Sequence, residues 1–336
     1  MRIGITYNLK SDLTSRADNL PEDSAEEFDL PETLQALQEV LASDGHDVFP
    51  LGGDLGILAK LESLGIDFVF NIAEGFQGRS REAHLPALLE MAGVPYSGSD
   101  PLALALTLDK ALTKRIAMSL GIPTPPFWIL EEETGFKDIP DTFPLFVKPL
   151  WQGSSKGIRF SSQVENASEL AKETKRLFEN YPQEPVLVES YIAGQEVTVG
   201  VLGNQNPEVM GVMEIAFKDP NRKDFSYSLE VKRSWKEKVE YLLPPRLQPL
   251  LENKIREASV KLFQTLHLRD VARFDFRVNA EGEFYFLEVN PLPGLSPESG
   301  DLVILAQKKG WTYRKLLLRI LHHAFSRYPP LQVGQN

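Results

Sequence analysis

A lysine at the end of an apolar stretch, Lys148-Pro149, is followed within a few residues by Gly153-Ser154-Ser155-Lys156-Gly157. Such a loop offers backbone N–H groups and hydroxyls that can close over phosphate oxygens, and the lysine supplies a point charge, so the pair suits a polyphosphate. A hairpin with a permissive turn and a surface lysine is the alternative. Further along, Arg273-x-Asp275 and Glu288-x-Asn290 flank a turn at Asn279 to Gly282, with Pro291-Leu-Pro293-Gly294 closing the segment. On paired antiparallel strands Asp275 and Glu288 can share one side, and Glu288 and Asn290 point alike because side chains alternate. Three oxygen donors of this kind suit Mg2+, which takes carboxylates together with substrate phosphates and water. A polar face turned to solvent is the alternative, but Phe284, Phe286, Leu287 and Val289 read as a core hairpin, where acids are scarce. A third cluster is an apolar strand, Val186 to Glu189, with a second acid at Glu196. An acid there can accept from ribose hydroxyls while adjacent backbone reads an adenine edge; a solvated strand end is equally consistent.

Other signatures are missing. There is no G-x-x-x-x-G-K-[ST], no G-x-G-x-x-G after a strand and no H-E-x-x-H. The adjacent pair His322-His323 reads as solvated helix surface, since neighbouring positions do not share a face. Gly153 to Gly157 also fits G-x-S-x-G, the nucleophile turn of serine hydrolases, which requires strand, turn, helix. Ile158-Arg159-Phe160 alternates like a strand instead.

The elements that must position these residues follow from periodicity. Arg2 to Tyr7 predicts a strand, Lys10 to Asp29 a charged separator, and Leu34, Leu37 and Leu41 a helix face. His46 to Leu51 and Ile66 to Ile72 predict strands, so the first hundred residues read as a parallel sheet with crossover helices, binding ligands at the strand C-terminal ends. Pro95 to Pro101 punctuates the chain, and a helix is expected over Leu102 to Leu120. Strands are expected over Pro144 to Leu150 and Gly157 to Ser162, a helix near Ala167 to Asn180, and further strands at Val186 to Glu189 and Val197 to Leu202. Lys218 to Lys238 reads as a long loop of the kind that closes over sites. Helices over Leu250 to Leu266 and Thr312 to Phe325 frame the hairpin of Val271 to Val278 and Phe284 to Val289. Expected domains are 1–100, 101–187 and 188–328, with 329–336 a tail.

Composition narrows the chemistry. The 336 residues are 42% hydrophobic and 25% charged, as in ordinary folded chains. Thirty-six Lys and Arg against 47 Asp and Glu leave a net charge of -11, which disfavours nucleic acid and anionic membrane as partners. With no cysteine, thiolate nucleophiles and cysteine-held metals are impossible. No signal-peptide core and no membrane-length apolar run is present, so a cytoplasmic location is expected.

In order and spacing, Lys110, Lys148, the Gly153 to Gly157 loop, Glu189 to Glu196, Asp275, Glu288 and Asn290 resemble the ATP-grasp fold, in its D-alanine–D-alanine ligase branch. The resemblance runs from about Phe70 to Phe325, with Pro95-Tyr96-Ser97-Gly98-Ser99, Asp109-Lys110, Lys148-Pro149 and Glu288 to Gly294 as anchors. It implies an α/β fold of three domains with the nucleotide between the central and C-terminal ones. It further implies ATP bound by Lys110, Lys148, Gly153, Ser154, Ser155, Gly157, Glu189, Ser190, Ile192 and Glu196. Two Mg2+, or Mn2+, would sit on Asp275, Glu288 and Asn290. The family phosphorylates an acid with ATP and lets an amine displace phosphate. Arg273 and the Gly294 N–H would stabilise the oxyanion, with Ser154, Ser155 and Lys232 around the reacting groups. Ser299 aligns with a residue that holds the acceptor carboxylate, and Lys232 with a lysine on a closing loop. Small-molecule substrates are the partners implied, and homodimers are common in the family.

The first-substrate motifs depart from the branch. Gly-Gly-x-Ser-x-Glu is replaced by Tyr7-Asn8-Leu9-Lys10-Ser11-Asp12, and His-Gly-x-x-Gly-Glu-Asp-Gly by Asn71 to His84, where only Glu82 keeps its register. Asn8, Arg81 and Glu82 are therefore the candidate contacts to the acid substrate. Arg79, Arg81 and Lys10 suggest a more anionic or larger donor than alanine, or are surface arginines and lysine. With this altered N-terminal third the chain is most similar to the ligases of mycosporine-like amino acid biosynthesis, which attach serine, threonine or a similar amino acid to mycosporine-glycine. A dipeptide ligase and a non-catalytic nucleotide-binding regulator are the alternatives.

Overall fold

The computed structural model describes residues 1–14, 20–132, 135–136, 139–219 and 228–328. The N-terminal segment runs β1 (Arg2–Thr6), α1 (Lys10–Thr14), α2 (Pro31–Ser43), β2 (Asp47–Gly52), α3 (Ile57–Leu64), β3 (Phe68–Asn71) and α4 (His84–Ala92). Its sheet has the order β2-β1-β3 and both pairings are parallel. That is the topology the alternating strand and helix patterns predict. Leu34, Leu37 and Leu41 of α2 fall on one buried face, and the C-terminal ends of β1 and β3 are tied by Thr6 Oγ1 donating to Asn71 Oδ1 at 2.7 Å.

The expected helix over Leu102 to Leu120 is two helices, α5 (Pro101–Leu108) and α6 (Lys110–Ser119). The break is at Asp109, whose backbone is extended and whose carboxylate accepts from Leu112 N–H at 3.0 Å. An aspartate that competes for backbone donors starts a new helix rather than continuing one. The restart places Lys110 and Lys114, one turn apart, on a buried face.

The middle sheet combines β4 (Phe127–Leu130), β5 (Leu145–Pro149), β6 (Gln163–Val164) and β7 (Val186–Ser190), in the order β4-β7-β5-β6, with α7 (Ala167–Asn180) packed on it. The expected strand over Gly157 to Ser162 does not form. The Ile158 carbonyl accepts from Leu229 N–H instead of a strand partner, and Phe160–Ser162 is a 3-10 turn. β7, across which the expected division at 187/188 falls, pairs with β4 through Glu189 and with β5 through Ser190.

The C-terminal segment holds β8 (Gln195–Gly203), β9 (Glu208–Phe217), α8 (Leu229–Arg233), α9 (Trp235–Lys238), β10 (Val239–Leu242), α10 (Pro249–Thr265), β11 (Asp270–Val278), β12 (Phe284–Asn290), α11 (Asp301–Lys308) and α12 (Tyr313–Ser326). Its antiparallel sheet has the order β10-β9-β8-β11-β12. One face buries Val197, Val199, Phe274 and Phe276 under α10, together with Ala103 and Ala117 of α5 and α6. The other buries Met213 and Ile215 under α11 and α12, and that core continues into Ile3, Ile5, Phe68 and Phe70 of the parallel sheet. The long loop expected over Lys218 to Lys238 is only partly irregular. Residues 220–227 lie outside the described residues, and 228–238 fold into α8 and α9 because Leu229 and Val231 supply buried anchors. The tail 329–336 also lies outside them. No helix among the described residues is long and apolar enough to cross a membrane.

Candidate active site

A cavity of about 190 Å3 lies between the middle and C-terminal sheets. It is lined by Lys110, Lys148, Gly153, Ser154, Ser155, Glu189, Ser190, Ile192, Glu196, Lys232, Arg273, Asp275, Glu288, Asn290, Gly294 and Glu82. Residues separated by more than two hundred positions in sequence therefore meet in one cleft. Gly157, Arg81, Asn8 and Ser299 do not line it. Ser299 is exposed beside Ser296, and Asn8 is buried with its Oδ1 accepting from Gly75 N–H at 2.9 Å.

Strand alternation sends Arg273, Asp275 and Arg277 of β11 to the cleft while Ala272, Phe274 and Phe276 enter the core. On β12 strict alternation would put Phe286 and Glu288 on the same face. The pairing register shifts between Asp275 and Phe276, leaving Leu287 as the extra residue, so Phe286 stays in the core and Glu288 faces Asp275. Asp275 accepts from Thr198 Oγ1 at 2.7 Å, Arg273 at 2.9 Å and Asn290 Nδ2 at 3.0 Å. Burial raises the Asp275 carboxyl, against the pull of Arg273. Burial also pushes Glu288 up, yet Lys110, Lys148 and Arg273 outweigh it and hold the carboxyl below its ordinary value. Lys110 Nζ stands 3.8 Å from Glu288.

Glu189 is buried between Lys148 at 2.8 Å and Lys114 at 3.0 Å. Despite burial, these two ammonium groups hold its carboxyl down to about 2. Lys114 escapes a sequence reading centred on motifs, although its position four residues after Lys110 on the same helix face was a signal. Next to this group, Phe146 stacks on Tyr191, and Arg277 bridges Glu196 at 3.2 Å and the Ile192 carbonyl at 2.9 Å. Phe146, Tyr191 and Ile192 thus line this part of the cleft beside Glu189 and Glu196.

The Gly153 to Gly157 loop is held by the N-terminal segment. Glu27 accepts from Gly153 N–H at 2.8 Å, Lys156 at 3.0 Å and Arg81 at 2.6 Å, while Asp23 accepts from Gly157 N–H at 2.8 Å and Tyr181 at 2.6 Å. Lys232 on α8 donates to the Ser154 carbonyl at 3.2 Å. No helix follows Ser155, so the strand, turn, helix of a hydrolase nucleophile is absent. Within the expected separator Lys10 to Asp29, Asp23 and Glu27 therefore do more than space the elements apart, and beside them Phe28 packs edge-on to Phe76 at 5.5 Å. At Gly157 φ is +75° and an added Cβ would meet the Pro149 ring and Tyr181. Gly157→Ala is expected to cost about 2 kcal/mol of stability in urea denaturation; an unchanged midpoint would mean that the loop is not held this way.

At the other end of the cleft Glu82 and Glu74 share a hydrogen bond. Burial, opposed by Arg81 and reinforced by Glu27, pushes the Glu82 carboxyl up to about 7. The cations expected to select an anionic donor do not face this space. Arg81 is spent on Glu27 and the Trp151 carbonyl, Arg79 is exposed against Asp109, and Lys10 is 3.7 Å from Glu26. The linkage has a definite sign. Between the ordinary 4.5 and about 7 the folded chain holds a proton on Glu82 that the unfolded chain has lost, so this carboxyl subtracts stability as pH rises through that window. Glu82→Gln, permanently neutral, should leave stability nearly unchanged near pH 4 and raise it by about 1–3 kcal/mol at pH 8. Urea denaturation at both pH values tests this, and an equal effect at the two would contradict it.

Two antiparallel sheets gripping a cleft lined by lysines, a glycine-serine loop and paired carboxylates define an ATP-grasp protein. The comparisons agree. Residues 116–322 match the family described as D-ala D-ala ligase C-terminus. The D-alanine–D-alanine ligase of Aquifex aeolicus is 34% identical over 293 residues, covering 86% of this chain and 93% of the relative. An uncharacterized protein, y4sG, of Sinorhizobium fredii is 36% identical over 303 residues, covering 88% and 87%. The structure of the D-alanine–D-alanine ligase from Bacillus anthracis complexed with ATP superposes with a TM-score of 0.75 at 23% identity, covering 98% of this chain and 99% of that one. VanG D-Ala:D-Ser ligase from Enterococcus faecalis does so with 0.73 at 24%, covering 96% and 99%. The chain belongs to the D-alanine–D-alanine ligase family.

Proposed function

We propose that the protein is an ATP-dependent, ADP-forming ligase that joins an acid to an amino acid. The γ-phosphoryl group of ATP passes to a carboxylate oxygen, giving an acyl phosphate and ADP. The amine of the second substrate then attacks the acyl carbon, and phosphate leaves with the carboxylate oxygen. The observation that carries this reading is the convergence of Lys110, Lys148, the Gly153 to Ser155 loop, Asp275, Glu288, Asn290 and Arg273 on one cleft. A pure nucleotide binder has no need of the whole set.

The donor set fits Mg2+. Two carboxylates and an amide stand together, and no group of three or more His, Asp or Glu among the described residues would cage a metal alone, which matches an ion completed by phosphate oxygens and water. Held by Asp275, Glu288 and Asn290, it would offset charge on the transferred phosphoryl group. Lys110 and Lys148 would bind phosphate oxygens. Arg273 and the Gly294 N–H would face the oxyanion, and Lys232, which burial pushes below its ordinary value, would hold the loop closed.

A D-alanine–D-alanine type of dipeptide formation is the reading the relatives support. Attachment of an amino acid to mycosporine-glycine is the second, favoured by the replaced first-substrate motifs at Tyr7 to Asp12 and Asn71 to His84. Phosphate release from Mg-ATP with D-alanine alone, and with mycosporine-glycine plus each common amino acid, separates them when products are weighed by mass spectrometry. Each true product has the mass of its two substrates minus water. Release with neither would send the search to other acids, and no nucleotide-dependent turnover with any acid and amine would overturn the ligase reading.

A further inference from the structure

One carboxylate and two ammonium groups, from β7, β5 and α6, are buried together beside the cleft. Glu189 Oε1 lies 2.8 Å from Lys148, and Oε2 lies 3.0 Å from Lys114. Among the described residues neither lysine has another carboxylate within ion-pair distance, so the group holds one positive charge in surplus. A surplus charge is expensive away from water. Burial pushes Lys114 down to about 8, although Glu189 opposes it. The two lysines are not equivalent. Lys148 and Glu189 line the cleft, whereas Lys114 does not and has no exposed surface. It also donates to the Phe286 carbonyl of β12, at 3.4 Å. Lys148 can therefore exchange its partner for an anion in the cleft, and Lys114 cannot. Such an exchange would strip a Glu189 that had no second cation, leaving a buried carboxylate unpaired. With Lys114 present the carboxylate keeps a partner throughout.

We propose that Lys114 is a positioning residue: as the standing counter-ion of Glu189 it releases Lys148 to the phosphates of a nucleotide in the cleft. The proposal rests on the reading of this cleft as an ATP site. Asp109 sets the placement, because the helix that it caps begins at Lys110 and brings Lys114 round to Glu189 one turn later. Without Lys114 the group balances at one carboxylate and one ammonium. Glu189 then keeps Lys148, and a phosphate oxygen must compete for that lysine with a buried carboxylate 2.8 Å away. Lys114 does not line the cleft, so its removal takes no direct contact from a ligand there. The loss falls on the part of the affinity that the phosphates supply.

The test is calorimetric titration of the full chain with Mg2+ and the β,γ-imido analogue of ATP, and separately with adenosine. The dissociation constant for adenosine divided by that for the analogue isolates what the phosphates contribute. In Lys114→Met that ratio should fall about tenfold to hundredfold, the worth of one charged hydrogen bond. Glu189→Gln added to it should return the ratio to within about threefold of the unaltered chain, because no carboxylate then holds Lys148. A lysine that merely ties α6 to the sheet would weaken both ligands alike, so an unchanged ratio in Lys114→Met overturns the proposal. A fall that Glu189→Gln does not reverse overturns it too. Where Lys114→Met does not fold, Lys114→Gln serves in its place. Glu189→Gln alone should leave the ratio level or raise it, and a fall in that single variant counts against the proposal in the same way. Absence of binding of both ligands to the unaltered chain would sink the ATP reading and this proposal with it; ATP-dependent turnover with an unchanged ratio in Lys114→Met would sink this proposal alone.

Discussion

Glu288→Gln should lower phosphate release from Mg-ATP by on the order of 10²- to 10³-fold while leaving the fold intact. The substitution keeps size and shape but removes a carboxylate that Lys110, Lys148 and Arg273 hold ionised against the effect of burial. Those three cations remain, so the cleft becomes more positive and nucleotide affinity should not fall. The deficit should therefore appear in kcat rather than in KM for ATP, and it should shrink as Mg2+ is raised, because a weakened metal site is refilled by mass action. Asp275→Asn is the companion, and it disturbs more, since Asp275 also accepts from Arg273 and Thr198. Activity within tenfold of the unaltered chain at low Mg2+ would remove Glu288 from the metal set.

The largest effect on stability is expected at Arg327. Its guanidinium donates to Asp270 at 2.8 Å and to the Tyr96 carbonyl at 2.6 Å, and Asp270 is fully buried and also accepts from Gly98 N–H at 2.7 Å. This one ion pair joins the end of α12, the start of β11 and the segment after α4. Arg327→Met strands a buried carboxylate and should cost about 3–5 kcal/mol. Burial already raises the Asp270 carboxyl above its ordinary range beside the arginine, so without it the group protonates more readily. The loss should be smaller at pH 5 than at pH 8. Asp270→Asn placed on top of Arg327→Met should recover part of it, because the amide carries no charge and tolerates the left-handed backbone at this position, φ +65°. Urea denaturation of the single and double variants at both pH values measures this; additive losses would mean that the two residues do not act as a pair.

The acid hairpin at one end of the cleft was legible because it is local. Asp275, Glu288 and Asn290 sit on a hairpin whose turn and two-residue period can be counted. The bulge at Leu287 was not, since alternation alone would have set Phe286 and Glu288 on one face, and only the packing of Phe286 against Phe276 at 5.7 Å selects the shifted register. The run Leu102 to Leu120 reads as one helix because its apolar content is continuous. The capping competition at Asp109 decides otherwise, and with it the direction in which Lys110 and Lys114 point.

By itself the sequence determined the family, the parallel first sheet, the glycine-serine loop and the acid hairpin, all of which depend on interactions within a few residues or on motifs whose order survives in one dimension. Tertiary structure alone decided that Glu27 lies on the Gly153 amide, 126 positions away, and that Arg81 neutralises Glu27 rather than a substrate. A charge read in a sequence has a sign but no partner. Burial determines which charges are desolvated, and folding determines which of them meet.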